Sequence, residues 1–299
     1  MKNVKKASAA RLAALWCGVF GLIACSDSEH PNEGGTATLP TVRTLVAEYD
    51  KQGVALDGEE QIDHIQACQF VDGSLAHVYD NLEFGHAGCQ IQLTDYQGSL
   101  YVLANTEGLI DLHDLHDRNI TEEEWKQTVL SLKDDKEAHF FSGSLNLDEH
   151  DKSQVELPLS IKRGVSRFDV DIQTAGITSI KSITLKNVAR NVFLFSNPGA
   201  HSPTLVERRD TTITFSQPLT EDKAGVLYVY EQANDGLEIT VNAVIDGQEK
   251  TLSSPLSGHI RRNTINKIIV RKDYISVNLN VTLDEWEPGN DTELEVQNS

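Results

Sequence analysis

Aromatic side chains are scarce, 6% of 299 residues, which leaves few platforms for stacking sugars or bases. Positive charge is scarce too: 26 Lys and Arg stand against 45 Asp and Glu, a formal net charge of −19. That balance argues against nucleic acid and anionic membrane surfaces as partners, and for a self-repelling exterior. After Cys25 no apolar run approaches the ~20 residues that a membrane-spanning helix needs. G-x-S-x-G, P-loop, H-E-x-x-H and glycine-rich dinucleotide signatures are all missing, so no catalytic residue or cofactor is assigned. The nearest thing to a metal cluster is His113-Asp114-Leu115-His116, beside Asp111 and Asp117. Leu109, Leu112 and Leu115 would face a core there and turn the His and Asp residues to solvent, so no metal site is assigned either. An enzyme is not expected.

What is present begins at the start of the chain. Lys2, Lys5, Lys6 and Arg11 precede an apolar run from Leu12 to Ala24, and Cys25 follows directly. A charged region, a short apolar region and a small residue before a cysteine resemble the bacterial lipobox. Residues 1–24 then form a lipoprotein signal peptide, and Cys25 is acylated as residue one of the mature chain. Two acyl chains give stable anchoring, at ~0.8 kcal/mol per buried CH₂. Removing residues 1–24 takes away four positive charges and no negative one, so the formal charge moves from −19 to −23. Residues 25–41 read as a flexible polar spacer with Gly34-Gly35 and two prolines. Cys17 goes with the leader. Cys68 and Cys89 remain, and either pair as a disulfide or stay as buried free thiols.

From Val42 onward strand signals dominate. Asp72-Gly73 and Asp246-Gly247 each separate two strand-like runs and read as hairpin turns. Cys89-Gln90-Ile91-Gln92-Leu93 alternates, which puts Cys89 on an apolar face. Thr121 with Glu124 forms a capping box, and Trp125, Val129 and Leu132 share a helical face, predicting a helix over 121–132. Pro158, inside the alternating stretch Val155–Ile161, places that strand at an edge or a bulge. The last strand is the most regular: Ile275, Val277, Leu279, Val281 and Leu283 alternate with polar residues. Arg261, Arg262, Lys267, Arg271 and Lys272 read as a charged strand edge. The regular spacing predicts two β-sandwich domains, 42–175 and 176–299, with a short helix in the first.

Several stretches then resemble the fimbrillin superfamily, the type V pilus subunits and pilus-associated lipoproteins of gut and oral anaerobes. Leu159-Ser160-Ile161-Lys162-Arg163-Gly164-Val165-Ser166-Arg167-Phe168-Asp169-Val170 is similar to that family's L-x-R-x-V-A-R-hydrophobic strand. Ile183–Val188, Tyr228-Val229-Tyr230-Glu231, Arg262-Asn263-Thr264 and the closing strand to Trp286 follow in the same order. The resemblance implies two tandem transthyretin-like sandwiches, an outer-membrane lipid anchor on Cys25, and assembly with other fimbrial subunits by strand exchange. It also implies a protease that cuts after an arginine and removes a leading strand. Arg43 is the processing candidate here, although Pro40 interrupts the segment before it. The donor-strand candidate is Ile275, Val277, Leu279, Val281 and Leu283, unless that stretch is the last strand of its own sandwich. Two other roles share this sequence: a fimbrial anchor that keeps its lipid, and a surface lipoprotein that binds glycan or host protein.

Overall fold

Alternating apolar residues build two groups of strands in the first half of the chain. The computed structural model describes residues 40–50, 53–131, 139–197 and 199–279. Strand β1 (Thr41–Val46) lies between β8 (Glu156–Arg163) and β4 (Cys89–Gln92), parallel to the first and antiparallel to the second. β2 (Ile65–Val71), β3 (Ser74–Tyr79), β5 (Ser99–Ala104) and β7 (Phe141–Asn146) form an antiparallel group in the order β3-β2-β5-β7. Two residue pairs, Phe141 with Arg163 and Ser142 with Lys162, join the groups into one seven-stranded sheet. Its inward side chains, Val42, Ala67, Ile91, Val102, Leu157 and Ile161 among them, meet in one buried cluster. The sheet is therefore folded over itself as a sandwich.

The second half repeats the plan with separate sheets. β9 (Val165–Ile172), β13 (Lys223–Tyr230), β16 (Ile265–Val270) and β17 (Ile275–Asn278) follow the order β13-β9-β16-β17. β10 (Thr178–Ala189), β12 (Arg208–Leu219), β14 (Glu238–Ile245) and β15 (Gln248–Pro255) follow the order β12-β10-β14-β15. Phe168, Ile183, Leu185, Val229, Val241 and Ile268 fill the space between them. At ~1.5–3 kcal/mol for each fully buried large apolar side chain, such a core dominates the stability of either half.

A third cluster ties the halves together. α1 (Leu112–Asp117), capped by the Asp111 side chain, and α2 (Glu122–Lys126), closed by the Thr121–Glu124 capping box, cover the outer face of β2 and β5. Trp125 is fully buried there, with its ring near Phe70, Tyr101 and Phe195 at 6.2, 6.2 and 5.3 Å. Phe195 and Tyr230 come from the second half, so this cluster is shared. The described residues from Pro40 onward belong to one compact unit.

Three expectations need correction. The helix over 121–132 is only Glu122–Lys126; Val129–Ser131 instead forms β6, paired with β11 (Asn191–Phe193). β-branched Val129 opposite Phe193 suits a ladder better than a second helical turn. The boundary at Ala175-Gly176 lies too late, because β9 pairs with β13 and β16 of the second sandwich and the chain crosses at Gly164. The basic stretch is not an edge: β16 is an inner strand, and Arg262 is buried against Glu231. Both hairpins form as expected, with Asp72-Gly73 and Asp246-Gly247 at positive φ. Pro158 sits where β8 has a ladder partner on one side only, since pairing with β7 stops at Ser142.

Candidate functional site

The seat of β1 is the first place to look for assembly chemistry. Val42 and Thr44 point into the first core and are completely buried, while Leu45 faces out and is 40% exposed. Beyond β1, among the described residues β4 has no ladder partner, and β8 has only the two-residue corner with β7. Taking β1 away would therefore open a groove with unpaired backbone on both sides. Gly88, at φ +86°, lets the loop before β4 press on β1: an added Cβ would stand 2.2 Å from the Thr44 carbonyl oxygen. The fit is imperfect at one atom, because the buried Thr44 Oγ1 has no hydrogen-bond partner among the described residues. A buried unsatisfied hydroxyl costs ~1–3 kcal/mol. An open cleft of about 540 Å³ lies alongside, lined by Leu45, Ile62, Phe84 and His86.

Arg43 belongs to this strand. Arg43, the processing candidate, lies beyond the spacer and inside the ladder: it pairs with Gln90 and Pro158, and its Nε donates to the Ala87 carbonyl at 3.0 Å. The buried Val42 and Thr44 on either side hold it in register.

The donor-strand candidate is divided. Ile275–Asn278 forms β17, antiparallel to β16 of the same chain, with Ile275 buried and Val277 and Leu279 packed on the second core. This part is the last strand of its own sandwich. Val281 and Leu283 lie outside the described residues, as does Cys25 with the whole leader.

Cys68 and Cys89 are both buried and free. Cys89 faces the first core with Ile91, whereas Cys68 is on the opposite face of its sheet, in the shared cluster. Neighbours along a strand point to opposite faces, so the sheet separates the two sulfurs. Burial raises both thiols above the usual cysteine value. The histidine stretch is pinned at the surface: His113 Nε2 lies 2.7 Å from Asp80, and Asp111 caps α1.

The junction between the sandwiches is built from three arginines. Arg167 bridges Glu59 at 2.8 Å, with both side chains 5% exposed, and holds Asp169 through two nitrogens at 2.9 and 3.1 Å. Tyr228 donates its hydroxyl to the other Glu59 oxygen at 2.7 Å. Burial alone would raise the Glu59 carboxyl, but the Leu56 N–H, Tyr228 and Arg167 outweigh it and hold it below its ordinary value. Arg163 donates to the carbonyls of Ala47 and Glu59 and to Asn263 Oδ1, its guanidinium 4.2 Å from the centre of the Tyr49 ring. Arg262 pairs with Glu231 at 2.7 Å and donates to the carbonyls of Phe193 and Leu194. All three guanidinium groups are spent on the protein itself. Their bonds join residues of the first half to residues of the second. The Arg163 and Arg167 spacing is visible in sequence; Glu59, an acid in a polar loop, carries no such signal.

The fold of the described residues is similar to that of a solved fimbrial tip protein. The tip fimbrial protein Mfa3 of Porphyromonas gingivalis, in a C-terminally truncated form, matches with a TM-score of 0.52 at 14% identity, over 80% of this chain and 98% of that one. A protein classed as a cell adhesion protein from Bacteroides eggerthii matches at 0.48 and 10% identity, over 79% and 88%. One classed as an adhesin from Bacteroides thetaiotaomicron matches at 0.44 and 13% identity, over 80% and 95%. At these identities the likeness concerns the fold. No protein-family model matches the sequence, and no curated protein matches it significantly.

Proposed function

We propose that the protein is a non-enzymatic structural subunit of surface fimbriae, exported as a lipoprotein through Cys25 and joined to its neighbours by strand donation. The reading includes transthyretin-like sandwiches, an outer-membrane location and a contribution to adhesion. The observation that carries it is the position of β1: a central strand with few other attachments around it, bearing an unsatisfied hydroxyl at its buried Thr44. An incoming strand with an apolar residue at that position would satisfy both ladders and relieve the misfit. While β1 stays in place the acceptor groove is filled, so the intact chain is an assembly-silent form. Cleavage after Arg43 would remove Thr41-Val42-Arg43 and leave Thr44–Val46 to be displaced by the incoming strand. The second reading, an anchor that keeps its lipid, is favoured by the same filled groove. The part of the tail beyond β17, with Val281 and Leu283, is the donor segment.

Two experiments separate these roles. Cys25→Ala should abolish labelling by a fatty-acid analogue and release the protein from membranes; surviving label refutes the anchor. Treatment with a protease specific for arginine should produce ladders that resist SDS and collapse on boiling, and Arg43→Ala should abolish them. If fimbriae are unchanged by Arg43→Ala and the lipid stays attached, the anchor role holds. A processed chain that stays monomeric and absent from fibres removes strand donation altogether.

A further inference from the structure

The connection from β11 to β12, residues 194–207, is a strap pinned at both ends. Arg262 donates to the Phe193 and Leu194 carbonyls where it begins. Where it ends, the Glu207 carbonyl accepts from the Arg190 N–H, and the Glu207 N–H donates to Asn191 Oδ1, both at 2.8 Å. The middle of the strap rests on the second sandwich through neighbouring residues. Pro203 is buried, the Ser202 hydroxyl oxygen accepts from the Ala233 N–H at 2.8 Å, and the His201 ring lies on the His259 ring. The rings are stacked, with 3.6 Å between centres and 10° between planes. Backbone bonds of 2.9 and 3.0 Å between Gln232 and Ile260 hold Ala233 and His259 side by side beneath it.

Neither ring has a place for a second proton while the stack stands. The Arg261 Nε–H donates to His259 Nε2 at 2.7 Å, so that nitrogen is an acceptor and the ring is neutral. His201 Nδ1 is enclosed and has no hydrogen-bond partner among the described residues, so a proton there would be buried without an acceptor. Charging both rings would press one cation on another, with the Arg261 guanidinium alongside. Burial, His201 and Arg261 all lower the His259 value. The carboxylates of the surrounding segments are already engaged: Glu207 with Arg190, Glu231 with Arg262 and Asp235 with Arg208, at 3.4, 2.7 and 3.2 Å. Residues 256–262 carry no acid, and Leu279, which packs beside Gly258, is uncharged. Nor do the rings make a chelate, because parallel planes aim their nitrogen lone pairs side by side instead of at one point.

We propose that His201 and His259 form a proton-operated latch: stacked and neutral they hold the strap down, and in mild acid they part and release residues 199–205. Proton linkage sets the direction. The closed form binds fewer protons than the open one, so it is favoured above the free histidine value of ~6.5 and gives way as pH falls below that. One proton taken up on opening changes the opening equilibrium about tenfold per pH unit, and two change it up to about a hundredfold. Release is local, because the arginine and backbone bonds at the two ends of the strap do not titrate in this range. The two sandwich cores are untouched. The latch is therefore distinct from the Glu59–Arg167 pair, and it does not rest on the fimbrial reading.

The test follows the Ala233 amide of the full chain by hydrogen exchange, corrected for the intrinsic effect of pH on exchange, with the amides of β14 as reference. Protection of Ala233 should fall at least ~10-fold between about pH 7.5 and about pH 5, while that of β14 stays constant. The double variant His201→Phe with His259→Gln keeps a flat ring on the strap and an acceptor for Arg261, and removes both titrating groups. Its Ala233 protection should be the same at both pH values. Protection that is level with pH in the unaltered chain overturns the proposal, and so does a fall that the double variant reproduces. If the variant fails to fold, nuclear magnetic resonance of the ring protons in the unaltered chain decides. His259 should then titrate in step with the loss of Ala233 protection, and a charged His259 with Ala233 still protected overturns the latch.

Discussion

Removing the carboxylate of Glu59 is the sharpest perturbation of the junction between the sandwiches. Glu59 and Arg167 are both about as buried as core residues, and their oxygen and nitrogen are 2.8 Å apart. Breaking a buried ion pair from one side strands the other charge, which costs ~3–5 kcal/mol. The two single deletions should not cost the same. Glu59→Ala leaves Arg167 its two bonds to Asp169, so its effect belongs near the lower figure. Arg167→Ala leaves Glu59 and Asp169 without their cation and belongs near the upper one. At about 2–4 °C per kcal/mol for a chain of this size, melting temperature should fall by ~6–12 °C for Glu59→Ala and ~10–20 °C for Arg167→Ala. Differential scanning calorimetry reads both, with Lys181→Ala as the control, since the Lys181–Glu249 pair is exposed and worth ~0–1 kcal/mol. Should Glu59→Ala move the melting temperature no more than Lys181→Ala, or should the order of the two deletions reverse, the junction does not carry the load assigned to it.

Acid should loosen the same region. Glu59 and Glu122 are held below the ordinary carboxylate value; such groups add stability above the unfolded value of ~4.3 and lose it as pH falls through the folded one. Melting temperature should stay level from about pH 7 to about pH 5 and drop below about pH 4, and Glu59→Gln should make that drop shallower; an identical curve refutes the assignment. Alkylation without reductant should spare Cys68 and Cys89 in native protein and modify both after unfolding, whereas protection that survives denaturant would mean a disulfide. Gly164→Ala should destabilise by ~1–3 kcal/mol, because the new Cβ would stand 2.1 Å from the fully buried Phe140 ring at the crossover between sandwiches. A urea midpoint unchanged by that substitution would show that the crossover gives way easily.

Much of the strand order was legible because period-two alternation is a local signal. Glu238–Ile245 shows it in its purest form, with every second residue buried. The hairpins at Asp72-Gly73 and Asp246-Gly247 were equally readable, since the turn itself demands positive φ. The helix failed through a competing period: Trp125 and Val129 fit a helical face, but Val129 is claimed by a ladder with Phe193, more than sixty residues away. Long-range pairing also moved β9 into the second sandwich, since no local feature of Val165–Ile172 says which sheet it joins. The candidate site divides in the same way. Arg163, Arg167, Glu231, Arg262 and Asn263 all stand in the stretches that resemble the family, but which of them meet is set by the fold, and Glu59 comes from a loop without such a signal. Arg43 was a processing candidate on resemblance alone, and the two flanking strands that seat it are brought there only by tertiary folding.

The parallel ladder between β1 and β8 has a mechanical consequence. β8 continues through Gly164 into the second sandwich, so tension transmitted from that sandwich arrives at the C-terminal end of β8. Tension from any tether ahead of Thr41 arrives at the opposite end of the pair, at the N-terminus of β1. Two parallel strands drawn from opposite ends slide past each other, and the six registered positions from Thr41–Glu156 to Val46–Ile161 bear the load together instead of opening in turn. The four positions shared with β4 add to the same resistance. β1 is thus placed as a shear clamp, and a chain that keeps its ladders intact resists pulling from either end.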